Sequence, residues 1–145
     1  MGRTFVHHWG RTLTEADGTL FASLTLAANP LYFNREYAQA HGHRDLVVNP
    51  LLVFLTAFGL SVEDLSESGG AFLGVEELVF SKPVYPGATL TAQSTVVRIR
   101  ESESRPDFGI VTWRTEGFDE AGDTVVEFER TNLVIRREAL LREVS

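Results

Sequence analysis

Asn49-Pro50-Leu51-Leu52-Val53-Phe54-Leu55-Thr56-Ala57-Phe58-Gly59-Leu60 is the stretch on which the fold turns. Asn49 stands where a helix needs a side-chain oxygen to cap its first free N–H groups, and Pro50 suits the first helical position because no N–H is needed there. Residues 51–60 are then apolar on nearly every side. A helix of that kind has to be enclosed on every side, and it is well short of the roughly twenty residues that cross a bilayer. The expectation is a buried central helix with a sheet wrapped round it.

Downstream, Gly69-Gly70 breaks the chain and four segments with strand character follow: residues 72–80, 89–100, 109–118 and 124–135. Pro86-Gly87, residues 101–107 and residues 119–123 separate them, with Gly87 read as a positive-φ turn residue. Polar and apolar positions alternate through Thr91-Ala92-Gln93-Ser94-Thr95-Val96-Val97-Arg98-Ile99-Arg100 and again through Val111-Thr112-Trp113-Arg114-Thr115. Each such strand has one face toward a core and one toward solvent or a partner. Trp113, Phe118 and Phe128 follow the same spacing and read as core rather than as a binding platform. Strands joined in succession predict an antiparallel meander, and residues 4–12 add a further strand. The fold class is α+β, with one domain over residues 1–145.

Upstream of the central helix, Thr14 with Asp17 three positions on reads as a capped helix start, carried by Leu20, Phe21, Leu24 and Leu26 and ending near Ala27. Asn29-Pro30 breaks it, because the residue before proline is pushed out of the α region. Asn34 caps a second, shorter helix through Ala40 that stops at His41-Gly42. Residues 137–144 read as a short helix or a frayed tail.

A chain of 145 residues, 43% hydrophobic, carries enough apolar surface for one self-standing core. Twenty acidic against 13 basic residues give a formal charge of -7, which disfavours a nucleic-acid partner. The absence of cysteine excludes disulfides, thiolate metal sites and thiol redox chemistry. No apolar run of signal-peptide or membrane-span length is present, so a cytoplasmic protein with no membrane partner is expected. The basic residues are nearly all arginine, which suits bidentate recognition of carboxylate or phosphate or reflects a GC-rich coding sequence.

Several further stretches matter through their order and spacing: Ala27-Ala28-Asn29-Pro30-Leu31-Tyr32, Leu46-Val47-Val48-Asn49, Leu60-Ser61-Val62, Lys82-Pro83-Val84-Tyr85-Pro86-Gly87, and Arg100-Glu101-Ser102-Glu103-Ser104-Arg105-Pro106-Asp107 leading into Gly109-Ile110-Val111-Thr112. Together they resemble the MaoC-like hydratases and dehydratases, the (R)-specific enoyl-CoA hydratase group of the hotdog fold. Within that group the chain looks like the branch of itaconyl-, mesaconyl- and methylmalyl-CoA hydratases. The resemblance runs from Gly10 to Arg130. It implies a curved antiparallel sheet around the central helix, a hydro-lyase acting on a short or branched acyl thioester, and no cofactor beyond the coenzyme A or acyl-carrier phosphopantetheine of the substrate.

In the (R)-specific hydratases an Asp two residues before the Asn and a His three residues after it hold a water and add it to an enoyl thioester. Such chemistry needs one group to activate water and one to deliver a proton near the α-carbon. Backbone N–H groups at the start of the buried helix stabilise the enolate oxygen. Here Ala27 stands at the Asp position, Tyr32 at the His position, and Asn49-Pro50 where His-Gly is typical. Alanine moves no proton, a phenol is a poor base at neutral pH though a usable donor, and proline has no N–H to offer. The resemblance leaves Tyr32, Asn29 and Asn49 as pocket residues. Tyr32 would act as proton source and the two amides would orient water or the thioester carbonyl, while the Leu51 N–H would remain free for the oxyanion. His41 and His43 are the nearby imidazoles, with His43 the candidate base; a polar loop also suits a solvated or capping histidine. His7 and His8 read as strand or surface residues. Arg105 is the candidate for a substrate phosphate or carboxylate, with a loop-closing salt bridge to Asp107, or a dimer contact, as its alternative.

A noncatalytic hotdog subunit or thioester-binding module, partner of an active homologue, is the second functional reading, motivated by Ala27 and Tyr32. A hotdog thioesterase is weaker, because the long helix carries no carboxylate to activate water. A lone sheet of this kind leaves an edge open, so a homodimer or higher oligomer with joined sheets is expected, or a heteromeric hotdog partner. Resemblance implies that the site is shared between subunits.

Overall fold

The computed structural model describes residues 1–143. In chain order the elements are β1 (Thr4–Val6), β2 (Arg11–Thr12), α1 (Glu15–Thr25), a 3-10 turn (Pro30–Tyr32), α2 (Arg35–Ala40), α3 (Pro50–Leu60), α4 (Val62–Leu65), β3 (Phe72–Phe80), β4 (Thr89–Glu101), β5 (Phe108–Phe118), β6 (Thr124–Ile135) and α5 (Arg137–Glu143). The sheet order is β1-β4-β5-β6-β3, with β2 also on β4. Every pairing is antiparallel. β4, β5 and β6 form the meander, while β3 lies beyond β6. The chain leaving β3 therefore has to cross the end of the sheet to start β4, and that crossing, residues 81–88, passes the leading end of α3.

Register explains which face carries the helix. Val96, Trp113, Arg130 and Val75 stand opposite one another across four strands, as do Ser94, Thr115 and Phe128, and then Ala92, Gly117, Val126 and Phe80. These residues face α3, whose Val53 and Ala57 pack with Leu13, Leu90, Val84, Val125, Val126 and Phe128 into one buried cluster. Each large apolar side chain fully buried there contributes about 1.5–3 kcal/mol. Gly117 lets the helix come close: a Cβ on it would lie 3.1 Å from the Ala57 Cβ and 2.8 Å from Val126 Cγ1. The opposite face is charged. Arg98 pairs with Glu129 at 3.3 Å and Arg114 with Glu127 at 3.3 Å, exposed contacts worth under about 1 kcal/mol each that keep that face wet.

The expected meander and wrapped helix are present, but α3 is not enclosed all round. Leu51 is 51% and Leu55 48% exposed. These residues and Gly59 recur at helical spacing on the side away from the sheet, where α1 buries none of its residues and stands off. Hydrophobicity on every side offers no means of telling a face covered within one protomer from a face left open by it. The strand expected over residues 4–12 is two short pieces on β4, because the chain between them turns inward at His7. His7 is buried, correcting the reading of it as a strand or surface residue: Nδ1 meets Asp64 Oδ2 at 2.6 Å and Nε2 meets Ser94 Oγ at 2.8 Å. α1 begins on the Thr14–Asp17 capping box and ends on Leu26 at φ 56°. The expected C-terminal helix is α5; Val144 lies outside the described residues. No helix among the described residues is long and apolar enough to cross a membrane.

Candidate functional site

Three loops meet at the leading end of α3. Val47 N–H donates to the Leu31 carbonyl at 2.9 Å, tying the 46–49 segment to the 3-10 turn, and Val48 N–H donates to the Val84 carbonyl at 2.8 Å, tying it to the crossing segment. Asn29 and Asn34 cap the 3-10 turn and α2 through their side-chain oxygens. Arg35 reaches from α2 to Asp45 at 2.7 Å and also to Glu15 of α1. The Arg35 hydrogen bond holds the Asp45 carboxyl below its ordinary range, and the Asp45 and Glu15 carboxylates raise the guanidinium in turn.

Asn49 dominates the helix start. The residue is only 5% exposed, and its Oδ1 accepts the Leu51 N–H at 2.9 Å. Its carbonyl accepts Leu52 N–H at 2.9 Å and Val53 N–H at 3.2 Å. With Pro50 lacking an N–H, every orphan donor of the first turn is consumed by this one residue. The expectation of a free Leu51 N–H is therefore corrected: the cap at Asn49 takes the donor that the oxyanion would have used. Leu46 N–H goes to Asp45 Oδ1 at 2.7 Å. From residue 46 to residue 53, only the donors of Asn49 itself, backbone N–H and Nδ2, have no partner among the described residues.

A cavity of about 300 Å³ opens here, walled by Val47, Val48, Pro50, Val53, Phe80, Lys82 and Val84 among others. Asn49 lies between two of its wall residues, Val48 and Pro50, but neither it nor Asn29, Tyr32 or His43 is in the wall itself. Across the Lys82–Tyr85 segment a second hollow of about 340 Å³ is bounded by Arg44, Tyr85 and Asp119. His43 Nδ1 contacts the Tyr85 hydroxyl at 3.0 Å and the Arg44 guanidinium lies 4.7 Å from the Tyr85 ring centroid. His43 thus belongs with Tyr85 rather than with Asn29, Tyr32 or Asn49. His41 is exposed and bonded to the Tyr37 carbonyl at 2.8 Å. Tyr32 is half-buried, and its hydroxyl makes no hydrogen bond among the described residues. Arg105 is exposed beyond the far end of β4, a strand of 13 residues. At about 3.3 Å per residue that is roughly 40 Å of strand from the crossing segment. Its expected loop-closing partner Asp107 pairs instead with Arg142 at 2.9 Å.

Two polar clusters in the core have no local signature along the chain. Asp64, His7 and Ser94 form a line that continues to Thr115, with Ser94 Oγ to Thr115 Oγ1 at 2.8 Å. A carboxylate only accepts, so His7 Nδ1 carries the proton toward Asp64. Ser94 is 0% exposed, which makes the line a strap between the N-terminal segment, α4 and the sheet rather than a hydrolytic triad. Arg130 is 1% exposed. It donates to Ser61 at 2.6 Å, Ser66 at 3.0 Å and Asn132 at 3.2 Å, lies 4.1 Å from the Phe58 ring centroid, and is pushed down to about 10 by burial. A further hollow, about 550 Å³, is the groove between α1 and α3, lined mainly by Leu20, Phe21, Leu24, Leu52 and Leu55 with the Arg11–Asp17 pair at one side.

An antiparallel sheet holding one central helix, with three loops gathered at that helix's start, defines a hotdog domain of the MaoC-like kind. The chain belongs to the mesaconyl-CoA hydratase family within that class, whose profile matches residues 1–143. The mesaconyl-CoA hydratase of Haloarcula hispanica is 41% identical over 138 residues, which are 94% of this chain and 38% of that protein. A MaoC domain protein dehydratase from Chloroflexus aurantiacus superposes with a TM-score of 0.86 at 33% identity, covering 94% of this chain and 39% of the other. The MaoC-like dehydratase from Rhodospirillum rubrum gives 0.83 at 25% identity and covers 94% and 93% of the two chains. The chain thus spans about two fifths of the length of the curated relative it matches.

Proposed function

We propose that the protein is a hydro-lyase that adds or removes water at a short or branched acyl thioester carried on coenzyme A or an acyl carrier. The observation that carries this reading is the family match over residues 1–143, together with a cavity of about 300 Å³ at the start of α3. The mesaconyl-CoA hydratase relative is named for such a reaction, and the cavity, walled by Val48, Val53 and Val84 with Lys82 at its rim, suits a small acyl group next to a polar thioester.

In this reading Tyr32 is the proton source and His43 the imidazole for activating water, since Ala27 can do neither. Both stand outside the cavity wall of their own protomer, His43 on the Tyr85 hydroxyl, so each has to meet a substrate that extends beyond that cavity. The Asn29 side-chain oxygen accepts Leu31 N–H at 3.0 Å, which fixes the side chain and leaves its amide N–H groups and one lone pair of the oxygen to orient water. No cofactor is needed beyond the coenzyme A or phosphopantetheine of the substrate. Arg105 lies too far along β4 to serve the pocket of its own chain, and its proposed role, binding a phosphate, is toward the site of a second protomer. A homodimer fits the open outer edge of β3, where Phe72, Leu73 and Val79 are exposed and unpaired strand groups invite a partner sheet.

Mixing the purified chain with enoyl- and 3-hydroxyacyl-CoAs and following the conjugated-thioester absorbance tests the reading. Conversion supports it, and release of free thiol replaces it with thioester hydrolysis. Binding without conversion would favour the second reading, a noncatalytic hotdog subunit or thioester-binding module that works beside an active homologue as its heteromeric hotdog partner. Two points favour that alternative: by resemblance Ala27 and Tyr32 stand where (R)-specific hydratases carry their Asp and His, and Asn49 consumes the backbone donors of the helix start.

A further inference from the structure

We infer that Asn49 is the oxyanion donor of this site, giving through its side-chain Nδ2 the hydrogen bond to the thioester carbonyl that the α3 backbone cannot give. The inference rests on the thioester reading above and assigns the group that polarises the carbonyl.

Hydrogen-bond accounting carries it. Leu51, Leu52 and Val53 donate to Asn49, Pro50 has no N–H, and Leu46, Val47 and Val48 donate to Asp45, Leu31 and Val84. A ligand oxygen arriving at the head of the helix therefore meets no free backbone donor except that of Asn49. The side-chain orientation is also fixed. The atom 2.9 Å from Leu51 N–H must be an acceptor, hence Oδ1, and this turns Nδ2 away from the helix. Nδ2 has no partner among the described residues although Asn49 is only 5% exposed. Among the described residues no fully enclosed side-chain nitrogen or oxygen lacks a hydrogen bond, so Nδ2 retains contact with open space at the head of α3, beside the 300 Å³ cavity that its neighbours Val48 and Pro50 wall and Asn49 itself does not. An amide donor held in so dry a place without a protein acceptor is matched by an acceptor that arrives with a ligand. A pinned amide is also preorganised: its cap bond means no reorganisation is needed as negative charge grows on the carbonyl oxygen.

Two substitutions separate this role from capping. Asn49→Ser keeps a good N-cap and the backbone N–H but deletes Nδ2; Asn49→Asp keeps cap and size and puts a carboxylate where the donor was. Both are expected to fold with an unchanged thermal midpoint, while kcat falls about a hundredfold or more, the usual effect of losing one oxyanion donor. An independent readout uses an enoyl-CoA labelled with ¹³C at the thioester carbon. Binding to the native protein is expected to move that resonance downfield, and the Asn49→Ser protein is expected to lose the displacement while still binding. A displacement that depends on Asn49 in a protein without turnover upholds the donor role and removes the hydratase reading. Turnover of Asn49→Ser within about threefold of native, an unmoved carbonyl resonance in the native complex, or failure to bind any enoyl-CoA overturns the inference.

Discussion

Arg130 Nη1 donates to Ser61 Oγ at 2.6 Å, joining the middle of β6 to the residue that ends α3. The same guanidinium reaches Ser66 and Asn132 and stacks on Phe58, so one planar fork fixes the far end of the central helix against the sheet. Its three hydrogen-bond acceptors are all neutral, and burial lowers its pKa to about 10. A lysine keeps the charge but cannot span three acceptors. Arg130→Lys is expected to destabilise the fold by about 2 kcal/mol and Arg130→Ala by about 3–4 kcal/mol, the latter adding a cavity, both measured by urea unfolding.

The closeness of α3 to the sheet depends on Gly117. A methyl there would meet Val126 at 2.8 Å and Ala57 at 3.1 Å, and both contacts lie between regular elements with little room to yield. Gly117→Ala should cost about 1–3 kcal/mol as an overpacking change. Gly59 lies on the open side of α3, where a methyl in place of its hydrogen would meet nothing within 4 Å. Gly59→Ala should therefore gain up to about 1 kcal/mol from helix propensity. Thermal melts of the two variants, with opposite signs from the same chemical change, check which side of the helix faces the sheet.

Lys82 ties the crossing segment to the β5–β6 turn, meeting Asp119 at 2.6 Å and Asp123 at 2.8 Å. The Lys82 hydrogen bond, helped by backbone N–H groups of Asp123 and Ala121, holds the Asp119 carboxyl below its ordinary range. A carboxyl depressed in the folded state adds stability that is present above the unfolded value of about 3.9 and is lost as pH falls through the folded one. Lys82→Met is therefore expected to be less stable than the native protein at pH 7, with the gap closing below about pH 4. Urea midpoints at the two pH values measure it.

What was legible in the chain was local. The Thr14–Asp17 box, the Asn49-Pro50 start and the strands lie where nearest-neighbour chemistry and alternation put them, because caps and pleats are decided within a few residues. His7 was not legible: its partners Asp64 and Ser94 are 57 and 87 residues away, and only the folded sheet reveals that the chain turns inward there. For Arg130 the one signal along the chain is its parity with Val126 and Phe128, which puts it on the face toward the helix; its acceptors Ser61 and Ser66 are 69 and 64 residues away. The candidate site divides in the same way. Asn49 as a cap could be read from its neighbours, whereas the spent Leu51 N–H, the pairing of His43 with Tyr85 and the remoteness of Arg105 all depend on tertiary placement.

Tyr32 offers the sharpest test of the chemistry. Its backbone is fixed by the Tyr32 N–H to Asn29 carbonyl bond at 3.0 Å, and its turn is tied to the segment before α3 through Leu31 and Val47 at 2.9 Å. The hydroxyl, with no hydrogen bond to the rest of the described chain, contributes nothing to that scaffold. Tyr32→Phe should leave the fold and thioester affinity nearly unchanged, since only one oxygen is removed from a half-buried ring. If the phenol supplies the proton, turnover should fall by about 10²–10⁴, the range for loss of a general acid. Parallel measurements of thioester binding by calorimetry and conversion by absorbance decide it: unchanged turnover removes Tyr32 from the mechanism, and a joint loss of binding and turnover makes it a pocket-shaping residue instead.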